Sequence, residues 1–455
     1  MSLGAGFGQV GPGGGDKSLK FTLADTFRLA WADPDLKARI LYILGMFAVY
    51  ALCVHVPVPI PGVSTAEIEE LVKSNQLFNL LNVFGGRALQ RISILALGLN
   101  PYITASIIMQ IMTAATPAWK KELQEGGEYA RKAQNKRTRL LSIGLCIAQG
   151  WGLLSVLKAA PTIATAMTPM VQFTTILFWT TGSMFLMWIG ERLSEKGIGN
   201  GMSLLIFAGI VIAFPGTIQL VYEASFVNKT SNPINLFLVL GLFVLATYFV
   251  TYFTIAQRRI PIQHVRRQFG TKAMGGGSSY LPFSVVMVGV IPIIFAFSLL
   301  TLPQMFANMF PKDSSAHNAL LKVSEFIYPN FQKPEGYIGI VFFMLLIFFF
   351  TYFYTAIQFN VEDIANNLKR AGSFIPGVRP GKQTKDFLDA VISRITILGA
   401  FFLSVVSLSQ FLVPVFINVA SVGWLFGTSL LIMVSVALET MRQIEANLLM
   451  KQYGQ

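Results

Sequence analysis

The chain contains few residue combinations that could carry out chemistry. Its three histidines, His55, His264 and His317, lie far apart, and none belongs to the H-E-x-x-H pair that binds zinc on a protease helix. No G-x-S-x-G sequence, which would expose a nucleophilic serine, occurs. Cys53 and Cys146 both lie inside apolar runs, so we expect no disulfide framework, redox site or zinc site from them. The sequence therefore predicts a protein that is not an enzyme and that holds no metal ion or other cofactor.

Residues 11–18, GPGGGDKS, come closest to a nucleotide-binding motif. A phosphate loop needs its second glycine where this chain has Asp16, and a carboxylate there would face the phosphates. No strand pattern precedes the segment, and no apolar region typical of a signal peptide lies within it. We therefore interpret residues 1–36 as a polar, Gly-rich tail.

The elements that would position any site are apolar helices. Only 13% of the 455 residues are charged, whereas soluble domains carry about 25%, so an ordinary soluble enzyme is excluded. Ten apolar stretches follow Leu36, each about as long as a helix that crosses a hydrocarbon core of about 30 Å. The alternation that a membrane β-barrel requires is missing. We predict an all-α integral membrane protein with ten transmembrane helices at 38–56, 92–113, 138–157, 171–190, 202–222, 234–256, 283–306, 337–358, 396–414 and 424–441.

The distribution of basic residues predicts the orientation of these helices. The 35 Lys and Arg exceed the 22 Asp and Glu by 13. With the N-terminus in the cytoplasm, 27 of the 35 fall on the cytoplasmic side and 8 on the opposite side. Cytoplasmic loops are the ones enriched in Lys and Arg. We therefore expect a multi-pass protein with both termini in the cytoplasm.

Two segments share the pattern G-x-x-P-x-I-x-A, at residues 98–105 and 289–296. Each lies in the second predicted helix of a group of five, and because five is odd the two groups would cross the membrane in opposite directions. Gly and Pro interruptions at matching positions indicate an inverted repeat with its pathway between the halves. We predict an N-terminal half at 37–222 and a C-terminal half at 223–455, with helix breaks at Gly98, Pro101, Gly289 and Pro292.

The predicted pathway lacks the ionisable groups that usually mark a site for charged solutes. Glu191 and Arg394 lie only at the ends of predicted helices. An uncharged pathway suits a substrate of varied chemistry, and an apolar constriction can exclude water and ions by dewetting. Two alternatives are disfavoured: a secondary solute transporter with a five-plus-five inverted repeat by the lack of charged groups in the pathway, and a membrane-embedded enzyme by the missing catalytic residue combinations.

Two predicted cytoplasmic loops, near 257–280 and 366–394, are long and basic. One explanation of such charge is attraction to anionic lipid, which contributes about 1 kcal/mol of binding free energy for each basic residue near the membrane surface. Pro-Gly turns on both sides of Arg379 also indicate a loop that projects, and a cationic projection would suit an acidic protein surface or ribosomal RNA.

Five sequence motifs resemble the SecY family of bacterial protein-translocation channels, and the similarity extends from about residue 24 to 453. The motifs are GLNPYITASIIMQIM at 98–112, GERLSEKGIGNGMSLL at 190–205, QRRIPI at 257–262, AGSFIPGVRPGKQ at 371–383, and GTSLLI at 427–432 with ETMRQ at 439–443. The resemblance implies an hourglass pore in the bacterial plasma (inner) membrane. It also implies a lateral gate that opens to lipid between the second and third helices on one side and the seventh and eighth on the other.

The resemblance further implies roles for individual residues. The pore ring would comprise Leu99, Ile103, Met202, Ile206, Ile294 and Ile432. A plug half-helix near 76–91 would include Leu77, Phe78, Leu81, Phe84, Gly85 and Gly86. Contacts to a motor or ribosome would come from Arg258, Arg259 and Arg379.

On the same basis, the expected function is passage of unfolded secretory polypeptides across the membrane and lateral release of transmembrane segments into lipid. The partners implied are small SecE and SecG-like membrane subunits, the SecA ATPase, the ribosome, signal sequences, nascent polypeptides and membrane lipid.

Overall fold

The computed structural model describes residues 23–60, 85–158, 167–227, 234–264, 267–269, 272–274, 278–308, 310, 314–331, 336–417 and 420–453. This part of the chain is mostly helical. Its α-helices are α1 (Leu23–Ala32), α2 (Pro34–Val54), α3 (Asn100–Ala115), α4 (Pro117–Glu125), α5 (Gly127–Leu157), α6 (Pro169–Lys196), α7 (Gly201–Tyr222), α8 (Ile234–Ile255), α9 (Ile291–Ala307), α10 (Ser315–Ile327), α11 (Gly336–Gln358), α12 (Val361–Arg370), α13 (Lys382–Ile417) and α14 (Thr428–Tyr453).

Each predicted apolar stretch overlaps one of these helices, and six helical segments of the described chain are long and apolar enough to cross a membrane. Local sequence explains where several begin. Thr168 accepts a hydrogen bond from the Val171 amide at the start of α6, and Asn200 accepts one from the Met202 amide at the start of α7. On α8, large apolar side chains such as Val244 are exposed, as expected for a surface in lipid. The chain is a multi-pass membrane protein.

Two helices begin later than predicted. The stretches 92–113 and 283–306 were each expected to be one helix, but α3 begins at Asn100 and α9 at Ile291. Gly98 and Gly289 adopt left-handed backbone angles, with φ of +58° and +66°, which ends the preceding turns. Pro101 and Pro292 then lie in the first helical turn, where the missing amide proton costs nothing.

The backbone at these two starts is nearly identical. Leu99, which precedes α3, has φ −90° and ψ −1°, and Val290, which precedes α9, has φ −92° and ψ −3°. Non-helical backbone at membrane depth is tolerated only where it is buried in protein or lines a cavity. The turns before α3 and α9 therefore identify the region where a cavity is expected.

The predicted loop near 257–280 contains strands, the last of which extends to Ser284 at the start of the stretch predicted as the seventh helix. Strand β1 (Gln257–His264) pairs with β4 (Ser278–Ser284) and with β5 (Ser373–Phe374), all antiparallel, while β2 (Arg267–Phe269) pairs with β3 (Lys272–Met274). In β1 the side chains of Ile260 and Ile262 are buried and their neighbours are exposed, which is the period-2 pattern of a half-buried strand. The sheet thus brings the two basic segments of the sequence together.

One continuous hydrophobic core joins the two predicted halves. It includes Ile206 of α7, Ile293 of α9, Phe343 of α11 and Ile432 of α14. Helix α9 contacts α3 and α5 directly, so the second half packs against the first half on this side.

A separate polar contact joins the ends of the described chain. The Lys451 ammonium lies 2.8 Å from Asp33 Oδ2 and 2.7 Å from Asp35 Oδ2. The hydrogen bond from Lys451 lowers the pKa of Asp33, which also caps the start of α2. The contribution of this pair to stability is therefore present above the ordinary carboxyl pKa and is lost as the pH falls through the lowered one.

Candidate functional site

Two cavities meet inside the helical bundle. The larger has a volume of about 720 Å³ and the smaller about 40 Å³. Ile103 of α3, Ile206 of α7 and Ile294 of α9 line both cavities. Three aliphatic side chains from three helices therefore form the wall between the two spaces, and we call these three residues the shared wall.

Five of the six predicted ring residues line the smaller cavity. Leu99 and Ile432 join the shared wall there, while Met202 lines only the larger cavity. The Met202 sulfur packs so closely on Gly190 that a Cβ at that glycine would overlap it. Met202 therefore lies on the large-cavity side of the other five residues.

Of the predicted plug residues, the structure describes Gly85 and Gly86. Gly85 lines the smaller cavity, and Gly86 packs on α2 and α7. The remaining four, Leu77, Phe78, Leu81 and Phe84, lie outside the described residues.

Charged side chains also line the larger cavity. Arg139 donates to both carboxylate oxygens of Glu191, at 2.9 Å and 2.5 Å, and Glu195 lies in the same lining. Lys132 also lines the cavity and pairs with Glu128 at 2.9 Å, which raises the pKa of Lys132 and lowers that of Glu128. Because a bidentate Arg–carboxylate pair is largely neutralised, the larger cavity is polar without a strong excess of either sign.

A side-chain hydrogen bond crosses between the two predicted halves. The Tyr354 hydroxyl on α11 donates a hydrogen bond to Gln110 Oε1 on α3, and Gln110 Nε2 donates to Ser106 Oγ at 3.0 Å. Phe295 of α9 packs edge-on against the Tyr354 ring with 5.2 Å between ring centroids. Sequence reasoning missed these residues because their contact pairs positions 244 residues apart.

The three predicted basic contact residues are exposed and lie near one sheet. Arg258 and Arg259 belong to β1. Arg379 lies in a turn that follows β5, and its carbonyl oxygen accepts a hydrogen bond from the Thr384 hydroxyl at 2.8 Å. His264 connects the strands, with Nδ1 2.7 Å from Ser373 Oγ and Nε2 3.0 Å from Ser279 Oγ.

The other histidines have separate structural contacts. His55 Nδ1 lies 2.8 Å from the Ala51 carbonyl oxygen, and His317 Nδ1 lies 2.8 Å from that of Ala307. Within the described ranges, no three His, Cys, Asp or Glu side chains converge as a metal site would require.

The described chain defines the class of the protein as an α-helical membrane bundle with an aliphatic constriction between two cavities. A solved structure that concerns how the plug domain of a SecY protein stabilises the closed translocation channel matches with a TM-score of 0.61 at 19% identity, over 90% of this chain and 92% of the other. Sec61 in the canine ribosome–channel complex from the endoplasmic reticulum matches with a TM-score of 0.56 at 16% identity, over 90% and 92%.

Sequence comparison specifies the family. The family model for SecY matches residues 93–441. The protein translocase subunit SecY of Aquifex aeolicus is 39% identical over 428 residues, which cover 92% of this chain and 96% of the relative. The chain belongs to the SecY family.

Removal of the Tyr354 hydroxyl tests the hydrogen bond between Tyr354 and Gln110. Tyr354→Phe should weaken the contact between α3 and α11 by about 1 kcal/mol, which shifts an equilibrium between packed and separated helices about fivefold. Double electron–electron resonance between spin labels at Ile111→Cys and Ile357→Cys, with Cys53 and Cys146 replaced by alanine, measures the separation of these helices.

Tyr352→Phe is the matched control. Its hydroxyl donates to the Ser393 carbonyl oxygen at 3.3 Å, within the same half, so its loss should leave the label distances unchanged. Equal distance distributions for Tyr354→Phe and Tyr352→Phe would contradict the importance of the contact.

Proposed function

We propose that unfolded secretory polypeptides pass from the larger cavity to the smaller one through a ring formed by Leu99, Ile103, Met202, Ile206, Ile294 and Ile432. The observation that supports this pathway most directly is the shared wall, because the same aliphatic side chains line both cavities. No bond is made or broken by this subunit, and we assign it no cofactor.

An aliphatic ring suits a substrate whose side chains vary from residue to residue. Aliphatic groups form no directional bonds with the passing chain, so they hold no particular sequence, and a narrow apolar passage excludes water and ions by dewetting. A secondary solute transporter is less favoured, because a solute site needs specific polar ligands that the shared wall does not provide.

We infer that transmembrane segments leave sideways between α3 and α5 on one side and α9 and α11 on the other. This lateral gate would be bordered by the helix starts at Gly98, Pro101, Gly289 and Pro292, and crossed by the Tyr354–Gln110 contact. A plug near 76–91 would cover the ring from outside, and the position of Gly85 at the smaller cavity supports this assignment.

We assign the chain ten transmembrane helices in two inverted halves, 37–222 and 223–455. In this arrangement the chain would lie in the inner membrane of a bacterial cell, with the 1–36 tail and the C-terminus in the cytoplasm. The matched backbone at Leu99 and Val290 supports the repeat, and the excess of basic residues on one predicted side supports the orientation.

Energy for transport would come from a partner. Arg258, Arg259 and Arg379 are exposed near one sheet, and we assign them to contacts with the SecA ATPase or with the ribosome. The structurally similar canine Sec61 was solved in a ribosome–channel complex. Small SecE and SecG-like subunits would brace the two halves within the lipid.

A polar side chain in the ring should make the closed channel leak. Ile103→Asn or Ile432→Asn places an amide in the constriction, where leaving it without a partner costs roughly 1–3 kcal/mol, so water should enter to solvate it. Ion conductance across planar bilayers should rise, and export of substrates with defective signal sequences should increase.

Ile111→Asn is the control, since it makes the same substitution at an exposed position of α3. Wild-type conductance and wild-type rejection of defective signals in both ring variants would refute the ring assignment.

Charge reversal at the sheet should uncouple the channel from its motor. Arg379→Glu replaces an exposed cation with an anion, and we expect motor-driven export into inverted membrane vesicles to fall about tenfold while the folded channel remains. ATPase activity stimulated by the translocating substrate should fall in parallel.

Lys322→Glu reverses an exposed charge on α10, which the orientation places on the opposite side of the membrane, and should have no effect on export. Normal coupled ATPase activity and normal export in Arg379→Glu would contradict the assignment of Arg379 to a contact with SecA or the ribosome.

A further inference from the structure

Arg87 has an unusual backbone conformation close to the constriction. Its φ is +65°, in the left-handed region that ordinarily favours glycine, and it directly follows Gly86 with φ +66°. A side chain held in this region costs energy that the surrounding structure must supply, and such residues cluster at functional positions. The conformation therefore calls for an interaction that holds Arg87 in place.

The guanidinium of Arg87 contacts α7. It lies against Gly216, so closely that a Cβ added to this glycine would overlap it. The preceding residue is Pro215, inside the helix, which has no amide to donate to the Val211 carbonyl. The Arg87 side chain thus lies beside a stretch of α7 whose backbone is accessible for two reasons. Gly216 has no side chain to cover it, and the helical hydrogen bond to the Val211 carbonyl is missing.

Gly86 makes a second contact with the same helix. A Cβ added to Gly86 would lie 3.6 Å from Gly209 Cα on α7 and 3.3 Å from the Tyr50 hydroxyl on α2. Gly209 and Gly216 are two helical turns apart, so both contacts lie on one side of α7. Two successive residues of the turn segment therefore pack along α7.

The segment that Arg87 holds, residues 85–99, carries part of the constriction at each end. Gly85 and Leu99 both line the smaller cavity. A Cβ on Gly98 would lie 3.8 Å from Gly85 Cα, so the two ends of the segment meet. Its middle is attached to α2, where Ser93 Oγ donates to the Cys53 carbonyl at 2.8 Å.

We propose that Arg87 is a positioning residue that fixes the 85–99 segment against α7 and so keeps Gly85 and Leu99 at the closed constriction. The same helix carries Ile206 of the shared wall, which means that Arg87 sets the position of one part of the constriction relative to another. This inference rests on the proposed function of the constriction as the closure of a polypeptide channel.

Two variants remove the contact from opposite sides. Arg87→Gly deletes the guanidinium and also suits the left-handed backbone, so the unfolding midpoint should stay the same or rise. Gly216→Ala displaces the guanidinium, which can yield because it is the end of a flexible side chain, while alanine suits the helix better than glycine. Ion conductance of the closed channel in proteoliposomes should rise about fivefold in both variants.

The controls separate this contact from general effects. Gly241→Ala on α8 meets no atom within 4 Å and should leave conductance at the wild-type level. Arg87→Lys keeps the charge without the planar donor group and should give a conductance between wild type and Arg87→Gly.

Three outcomes decide the question. Wild-type conductance in Arg87→Gly and Gly216→Ala, in preparations where Ile103→Asn leaks, would overturn the role of Arg87 and leave the proposed function intact. A lower unfolding midpoint without increased conductance would show that the contact is structural only, which also contradicts the proposal. Failure of the wild-type chain to export polypeptide with its partners would instead refute the proposed function.

Discussion

The structure depends on one constraint: a passage wide enough for a polypeptide must be closed to ions without any group that binds a particular sequence. Aliphatic side chains meet both requirements, because they exclude water when they meet and form no directional bonds with a substrate. Ile103, Ile206 and Ile294 converge from three helices between two cavities. Buried side chains such as Ile293 and Phe343 pack around them in the continuous core that fixes where these helices lie.

The aliphatic side chains between the two cavities lie close to the points where two helices begin. Leu99 and Ile103 lie at the start of α3, and Ile294 lies at the start of α9. Starting a helix inside the bundle requires a turn before it, and the glycines at 98 and 289 with the prolines at 101 and 292 provide that turn in both halves. Arg139 and Glu191 pair with each other in the larger cavity, and the exposed Arg258 and Arg379 lie near the sheet.

Sequence reasoning predicted the helical membrane fold because long apolar stretches and motifs that resemble a known family indicate it, and five of the six residues named for the ring line one cavity. It failed where the signal was short or non-local. The sheet of β1, β4 and β5 was missed, since its apolar alternation covers only Ile260 and Ile262 in β1 and Leu281 and Phe283 in β4, and β5 has two residues. The contact of Tyr354 with Gln110 and that of Arg87 with Gly216 join residues far apart in the chain, and no local pattern indicates either.

Site-specific photocrosslinking tests the pathway most directly. A photoreactive amino acid replaces Ile294 at the shared wall, or Val244 on the exposed surface of α8, and a secretory polypeptide is stalled during export into inverted membrane vesicles. We predict adducts between the stalled polypeptide and the probe at position 294, and none from position 244. Efficient export without any adduct from position 294 would contradict the account, because the polypeptide would then cross the membrane by another route.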